Sequence, residues 1–171
     1  MALRLLASQQ QLRECSSVRV SGPGIRIECT AACVNEMAPP PGDPKHGHHA
    51  FAYRVSIENV GKTTCRVLGR HWIIREQGSG EEEVVPHGSP GIVGYTPVLK
   101  PGQRFVYGSG TLLDSDEGSM WGSLQCEELL LPDDTTASEA DGEADGDFEA
   151  IPHGSGVAFD AEIGAFLLRV P

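Results

Sequence analysis

Apolar and polar residues alternate with a period of two over a series of short stretches. The clearest is Phe51-Ala52-Tyr53-Arg54-Val55-Ser56-Ile57-Glu58, where Phe51, Tyr53, Val55 and Ile57 share one face and Arg54, Ser56 and Glu58 the other. Side chains of a strand point alternately to its two faces, so this run predicts a strand with one buried side. Asn59-Val60-Gly61-Lys62 ends it in a turn. Upstream, Ile25 and Ile27 alternate with Arg26 and Glu28, which predicts a strand from Ile25 to Met37. Prolines between Pro39 and Pro44 force a loop, because proline cannot donate to a ladder. Downstream, Cys65 to Arg75 and Glu82 to Val85 read as a hairpin joined by Gln77-Gly78-Ser79-Gly80, with Arg70, Trp72 and Ile74 on one side. Pro101-Gly102 opens a further strand with Phe105 and Tyr107, running to Thr111, and residues 112–117 turn the chain. Gly118 to Cys126 is another strand, with Met120, Gly122, Leu124 and Cys126 on one face and Trp121 on the other. Phe159, Ile163, Phe166, Leu168 and Val170 mark the last. Residues 1–15 permit a short helix, and Gly22-Pro23-Gly24 stops regular structure ahead of the first strand. Short strands with turn signals at fairly even spacing predict a sandwich or barrel.

Composition sharpens this picture in two places. Glycine (21) and proline (12) are frequent among the 171 residues, which favours turns over long helices. The net charge of −11 is localised: twelve acidic residues and no Lys or Arg lie between Glu127 and Glu162, leaving the rest near neutral. Most of that stretch is small, acidic and poor in apolar residues, too poor to offset its ordering entropy. It reads as a disordered insertion at about 127–157, within a hairpin because an apolar strand follows it. Such a segment repels nucleic acid and anionic membranes and attracts a basic partner. No stretch approaches the ~18 apolar residues that span a bilayer. Five cysteines with no secretory signal read as reduced thiols in a cytoplasmic setting. The start, with Arg4 and Arg13 and no acid before Glu14, admits a mitochondrial presequence as the alternative.

The loop Ser89-Pro90-Gly91-Ile92-Val93-Gly94-Tyr95-Thr96-Pro97 superficially resembles a dinucleotide fingerprint. That motif needs three glycines and a helix whose N-terminus faces the pyrophosphate. Ser89 stands in place of the first glycine, and Pro97 and Pro101 leave no room for a helix. Gly91 and Gly94 are therefore expected to take backbone angles closed to other residues. His46, His48 and His49, with Asp43 nearby, are the metal-like cluster. On a strand His46 and His48 would stand ~7 Å apart, so solvated loop histidines are the expectation. Cys29 and Cys33 would be ~13 Å apart on a strand, too far to pair. No serine or cysteine has a nucleophile setting, and Ser109 lacks an elbow motif.

Taken in order, these motifs resemble the ApaG (CorD) family. They are Phe51-x-Tyr53-x-Val55-x-Ile57-x-Asn59, Leu68-x-Arg70-x-Trp72-x-Ile74, Gly91-Ile92-Val93-Gly94-x-x-Pro97, Pro101-Gly102-x-x-Phe105-x-Tyr107-x-Ser109, Gly118-x-Met120-x-Gly122 and Phe166-x-Leu168-x-x-Pro171. The resemblance covers residues 24–171 apart from the insertion and leaves residues 1–23 as an N-terminal extension. It implies an all-β, fibronectin type III-like (immunoglobulin-like) antiparallel β-sandwich without catalytic role or cofactor. Bacterial members are linked genetically to cobalt resistance and magnesium efflux; eukaryotic relatives carry the domain as a protein-binding module. The chain departs from the family pattern in its extension, its acidic insertion and Ser89.

The leading expectation is thus a non-enzymatic β-sandwich that binds a protein. The alternative is a sensor of divalent cations or of a phosphate ligand, using the loops around His46–His49 and Gly91–Gly94. Arg70, Trp72, Gly91, Gly94, Tyr107 and Trp121 are the candidate binding residues, since arginine and aromatics dominate interface energetics. Periodicity also allows Trp72 and Tyr107 to be core, and Trp121 to be exposed or in the opposite layer.

Overall fold

The face predicted for Phe51 to Ile57 is the buried one: Phe51, Tyr53, Val55 and Ile57 are 1%, 8%, 0% and 0% exposed, within β3 (His49–Asn59). The computed structural model describes residues 15–130 and 156–171. Within them run β1 (Ser16–Ser21), β2 (Ile25–Cys33), β3, β4 (Thr64–Glu76), β5 (Glu81–Pro90), β6 (Val98–Leu99), β7 (Arg104–Leu113), β8 (Glu117–Leu129) and β9 (Ala158–Arg169). All pairings are antiparallel. One sheet has the order β1-β2-β3-β7; the other has β5-β4-β8-β9, with β6 also on β4. The inner faces of the two sheets form one core, so the fold is the expected antiparallel sandwich.

Three rings join the layers. Tyr53 of β3 meets Trp72 of β4 at 5.5 Å between centroids, and Trp72 meets Phe166 of β9 edge-on at 6.2 Å. Each full burial of a large apolar side chain is worth roughly 1.5–3 kcal/mol, so this contact is a major tie between sheets. A second tie is polar. Asn59 ends β3 almost fully buried, and its Nδ2 donates to the carbonyls of Thr63 (2.7 Å) and Leu99 (2.8 Å). Its Oδ1 accepts the Gly61 N–H at 3.0 Å. One side chain thus holds the β3–β4 turn and carries β6 against it.

The two sheets are closed along one side. β9 packs on β1 and β2, and the Glu162 N–H donates to the Ser21 hydroxyl at 3.0 Å. On the opposite side β5 and β7 are the sheet edges and do not pair with each other.

Several expectations change. Residues 16–21, assigned to the extension ahead of Gly24, form β1; Gly22-Pro23-Gly24 is a hairpin turn and not a stop. β2 ends at Cys33, because Asn35 turns the chain into a 3-10 segment (Asn35–Met37) and takes the Ala50 N–H on its side chain. β5 continues past Val85 to Pro90. β8 runs through Leu129 and pairs with β9 from Glu127↔Ala158, so the segment between the strands starts later than residue 127 and ends, as expected, at 157. The helix proposed for residues 1–15 falls almost wholly, and the disorder proposed for the acidic stretch largely, outside the described residues. Among the described residues no helix is long and apolar enough to cross a membrane.

Two predictions follow from the core. Asn59→Ala removes hydrogen bonds to the Thr63 and Leu99 carbonyls and to the Gly61 N–H, and should lower unfolding free energy by about 3 kcal/mol in urea denaturation. Burial raises the Cys29 and Cys126 thiols from 9.0 to about 12. Both are protonated in the folded chain, so their contribution is complete below pH 9 and is lost as pH rises toward 12. Denaturation midpoints should fall between pH 8.5 and 10.5 by more in wild type than in the Cys29→Ala/Cys126→Ala variant.

Candidate functional site

The open side of the sandwich holds a cleft. Its volume is about 280 Å³, and it lies between the edges β5 and β7. Tyr53, Arg70, Trp72, Val84, Tyr107 and Ser109 are among the residues that line it. Strand parity explains the set: Arg70 and Trp72 are two apart on β4, and Tyr107 and Ser109 two apart on β7. Tyr53 arrives because β3 pairs with β7 in the register Tyr53↔Ser109.

Arg70 is held in place. Its Nη1 donates to the carbonyls of Pro90 (2.9 Å) and Gly91 (2.7 Å). Arg26, Arg66, Arg75 and Arg169 each meet a glutamate. Arg70 has no carboxylate partner among the described residues. Tyr107 is 7% exposed, and its hydroxyl finds no hydrogen-bond partner; the neighbouring Trp72 indole does not meet it in bonding geometry. Burial raises the Tyr107 phenol well above its ordinary value, with Arg70 opposing, so it stays a neutral donor. Tyr53 shifts the same way, chiefly by burial, against the Ser109 hydroxyl and Arg70.

The rim of the cleft is the glycine loop. Gly91 has φ +66°, and a Cβ there would lie 2.9 Å from the Tyr95 carbonyl oxygen. Ile92 and Tyr95 exchange backbone hydrogen bonds of 2.7 and 2.9 Å across Val93 (φ +44°) and Gly94 (φ +86°). Two successive left-handed residues make a tight reversal of the type I′ kind. Both glycines take the angles expected of them. Val93, a β-branched residue with positive φ, is strained and projects at the cleft. The loop leads to β6 and not to a helix, so no helix N-terminus backs it for an anion.

Of the candidate residues, Arg70, Trp72 and Tyr107 meet in the cleft, and Gly91 offers its carbonyl to Arg70. Trp72, at 1% exposure, is wall and core together and not an exposed contact, because its ring is held between Tyr53 and Phe166. Gly94 lies apart, beside Tyr95 and Phe105 in a neighbouring hollow. Trp121 is on the other face of its sheet, half-buried beneath the Arg75 guanidinium at 5.4 Å. The histidines do not converge. His46 Nδ1 faces the Pro39 carbonyl, and His49 is engaged by Asn35 and Asp116. Among the described residues no three His, Cys, Asp or Glu side chains could share a metal ion.

The edge beside the cleft was not anticipated. β7 hydrogen-bonds to β3 alone. Of its ten residues, Arg-Phe-Val-Tyr-Gly-Ser-Gly-Thr-Leu-Leu, only Arg104 is charged, and Gly108, Ser109 and Gly110 are exposed. Its other face carries a second hollow of about 280 Å³, with Val34, Met37, Ala52 and Leu112 in its wall. The signal was the Gly108-Ser109-Gly110 run inside an alternating strand, since small residues there leave the backbone accessible.

Comparison with known proteins agrees with this architecture. The ApaG domain family model matches residues 40–128. Protein ApaG of Aromatoleum aromaticum is 34% identical over 146 residues, 85% of this chain and 91% of that protein. Protein ApaG of Azoarcus sp. (strain BH72) is 36% identical over the same shares. The crystal structure of an ApaA protein from Bordetella pertussis superposes with a TM-score of 0.64 and 29% identity, over 90% of this chain and 98% of that one. The family is not known as one of enzymes. With strand pattern, fold and relatives in agreement, the chain belongs to the ApaG domain family.

Proposed function

We propose that this chain is a non-enzymatic protein-binding module that takes an extended segment of its partner onto β7. The supporting observation is the state of the sheet edges. An exposed strand edge is a row of unpaired N–H and C=O groups and templates pairing unless it is guarded. β1 and β9 cover each other. β5 carries Glu81, Glu82 and Glu83, the non-donating Pro86 and Pro90, and register shifts against β4. β7 has none of these guards.

Strand addition draws its affinity from main-chain hydrogen bonds and its specificity from pockets that receive alternate side chains. β7 has a hollow on each face along the stretch from Ser109 to Thr111. Successive residues of an added strand would enter the cleft and the apolar hollow in turn. The acidic run between Glu127 and Glu162 favours a partner with basic residues flanking that segment. Cys29, Cys33, Cys65 and Cys126 stand outside any disulfide, which fits a cytoplasmic setting.

A displayed library of random 12-residue peptides tests this. Selected peptides should protect the amides of residues 104–113 from deuterium exchange. Gly108 and Ser109 are adjacent, so one N–H faces β3 and the other faces outward. Proline at the outward position should leave the fold stable and abolish peptide binding. Proline at the other should cost about 3 kcal/mol of stability. Peptide binding retained by the stably folded variant, or protection on β5 in place of β7, would overturn the proposal.

A further inference from the structure

We propose that the cleft beside β7 is a carboxylate pocket, in which the Arg70 guanidinium receives an acidic side chain of the added strand. The inference rests on the strand-addition reading and names the chemistry that the cleft selects. Nη1 of Arg70 is occupied by the Pro90 and Gly91 carbonyls, which fixes the plane of the group. Nε and Nη2 meet no acceptor among the described residues. A guanidinium held in this way presents two parallel N–H donors, the pattern that a carboxylate matches bidentately.

The surroundings favour one negative charge. Arg70 is the one cation in the cleft wall. No carboxylate shares that wall, so nothing there competes for it. Much of the rest of the lining is aromatic or aliphatic, with Trp72, Ile74, Val84 and Val85 among it, and Thr111 adds a hydroxyl. Apolar surface beside a charge-assisted hydrogen bond lowers the local dielectric and strengthens it. The Ser109 hydroxyl also lines the cleft, and the Tyr107 hydroxyl behind it lacks a partner. That hydroxyl is shielded from solvent, so an incoming carboxylate meets Arg70 first. A phosphate carries more charge than one arginine neutralises, and the apolar walls would strip its hydration without replacing it.

Strand parity supplies the register. Tyr107 and Ser109 face the cleft, and Gly108 between them does not line it. The acidic position of a bound peptide should therefore alternate with apolar positions seated by Met37 and Leu112.

The test uses peptides that protect residues 104–113, each compared with its Glu→Gln or Asp→Asn analogue by calorimetry. One acidic position should matter, and its amide analogue should bind about tenfold more weakly to wild type. With Arg70→Gln the acid and amide peptides should bind alike. This difference is read on one protein, so any general loosening of the Gly91 loop cancels. Peptides that protect β7 without an acidic position, or an acid preference that survives Arg70→Gln, would overturn the carboxylate assignment and leave strand addition standing. Absence of protection at β7 would instead refute strand addition. A probe independent of that reading is the Arg70 Nε–H resonance, titrated with the α-amide of N-acetylglutamate and, as control, with the α-amide of N-acetylglutamine. The first carries a single side-chain carboxylate and should shift it saturably; the second carries none and should not. A response to inorganic phosphate at lower concentration than to the carboxylate probe would overturn the ligand class.

Discussion

Every strand at the margin of a sheet leaves backbone groups unpaired, and the architecture turns on how each of the four margins is treated. One pair is closed: β1 lies against β9, with a side chain-to-backbone bond between Ser21 and Glu162. The other pair stays apart, over the cleft between β5 and β7. Tyr53, Trp72 and Phe166 fix the spacing of the sheets from inside. With spacing set by these rings and closure confined to the far side, β5 and β7 cannot collapse onto each other without breaking the core. The gap follows from packing, and the Gly91 loop supplies its rim.

The strands that bury one face were legible, because burial imposes a period of two and the sequence carries it. β3 is the clearest case: Phe51, Tyr53, Val55 and Ile57, which the alternation marks, are all buried, and Ala50 and Ser56 of the other face join them. β1 was not legible for the converse reason. Val18, Arg19 and Val20 are all exposed, and no residue from Ser16 to Ser21 is fully buried. It exists through its ladder to β2 and its seat on β9, both long-range facts that no local pattern encodes. The same distinction divides the site. Arg70, Trp72 and Tyr107 could be placed on faces by counting. Tyr53 and Ser109 join them only through cross-strand register, which sequence does not display. Trp121 shows the limit of counting: its parity was right, but Arg75 and the sheet face decide what it does.

The glycine loop shows how one spacing serves different physics. In a nucleotide site, glycines admit pyrophosphate and a helix supplies the field. Here Gly91 clears the Tyr95 carbonyl and Gly94 completes a reversal, after which the chain rejoins β4 through β6. The loop's contribution to the cleft is its carbonyls: those of Pro90 and Gly91 orient Arg70. Val93 holds a backbone angle unfavourable for its side chain. Such strain persists only where neighbouring contacts over-determine it, and here those are the two Ile92–Tyr95 bonds and the Arg70 clamp.

An unguarded edge exposes any chain to pairing with its own copies, and charge supplies a counterweight here. The net charge of −11 gives two copies a mutual repulsion, and most of the excess lies in the segment between β8 and β9. β5 adds three consecutive glutamates on the flank of the cleft, so a second copy brings its own acidic β5 as like charge. A partner bearing basic residues around an extended segment meets the reverse. Backbone pairing is indifferent to sequence, so under the proposed strand addition discrimination between self and partner would fall to long-range charge, and discrimination among partners to the two hollows flanking β7. Proline or lysine on β7 would guard the edge more simply, but would remove the ladder that strand addition needs.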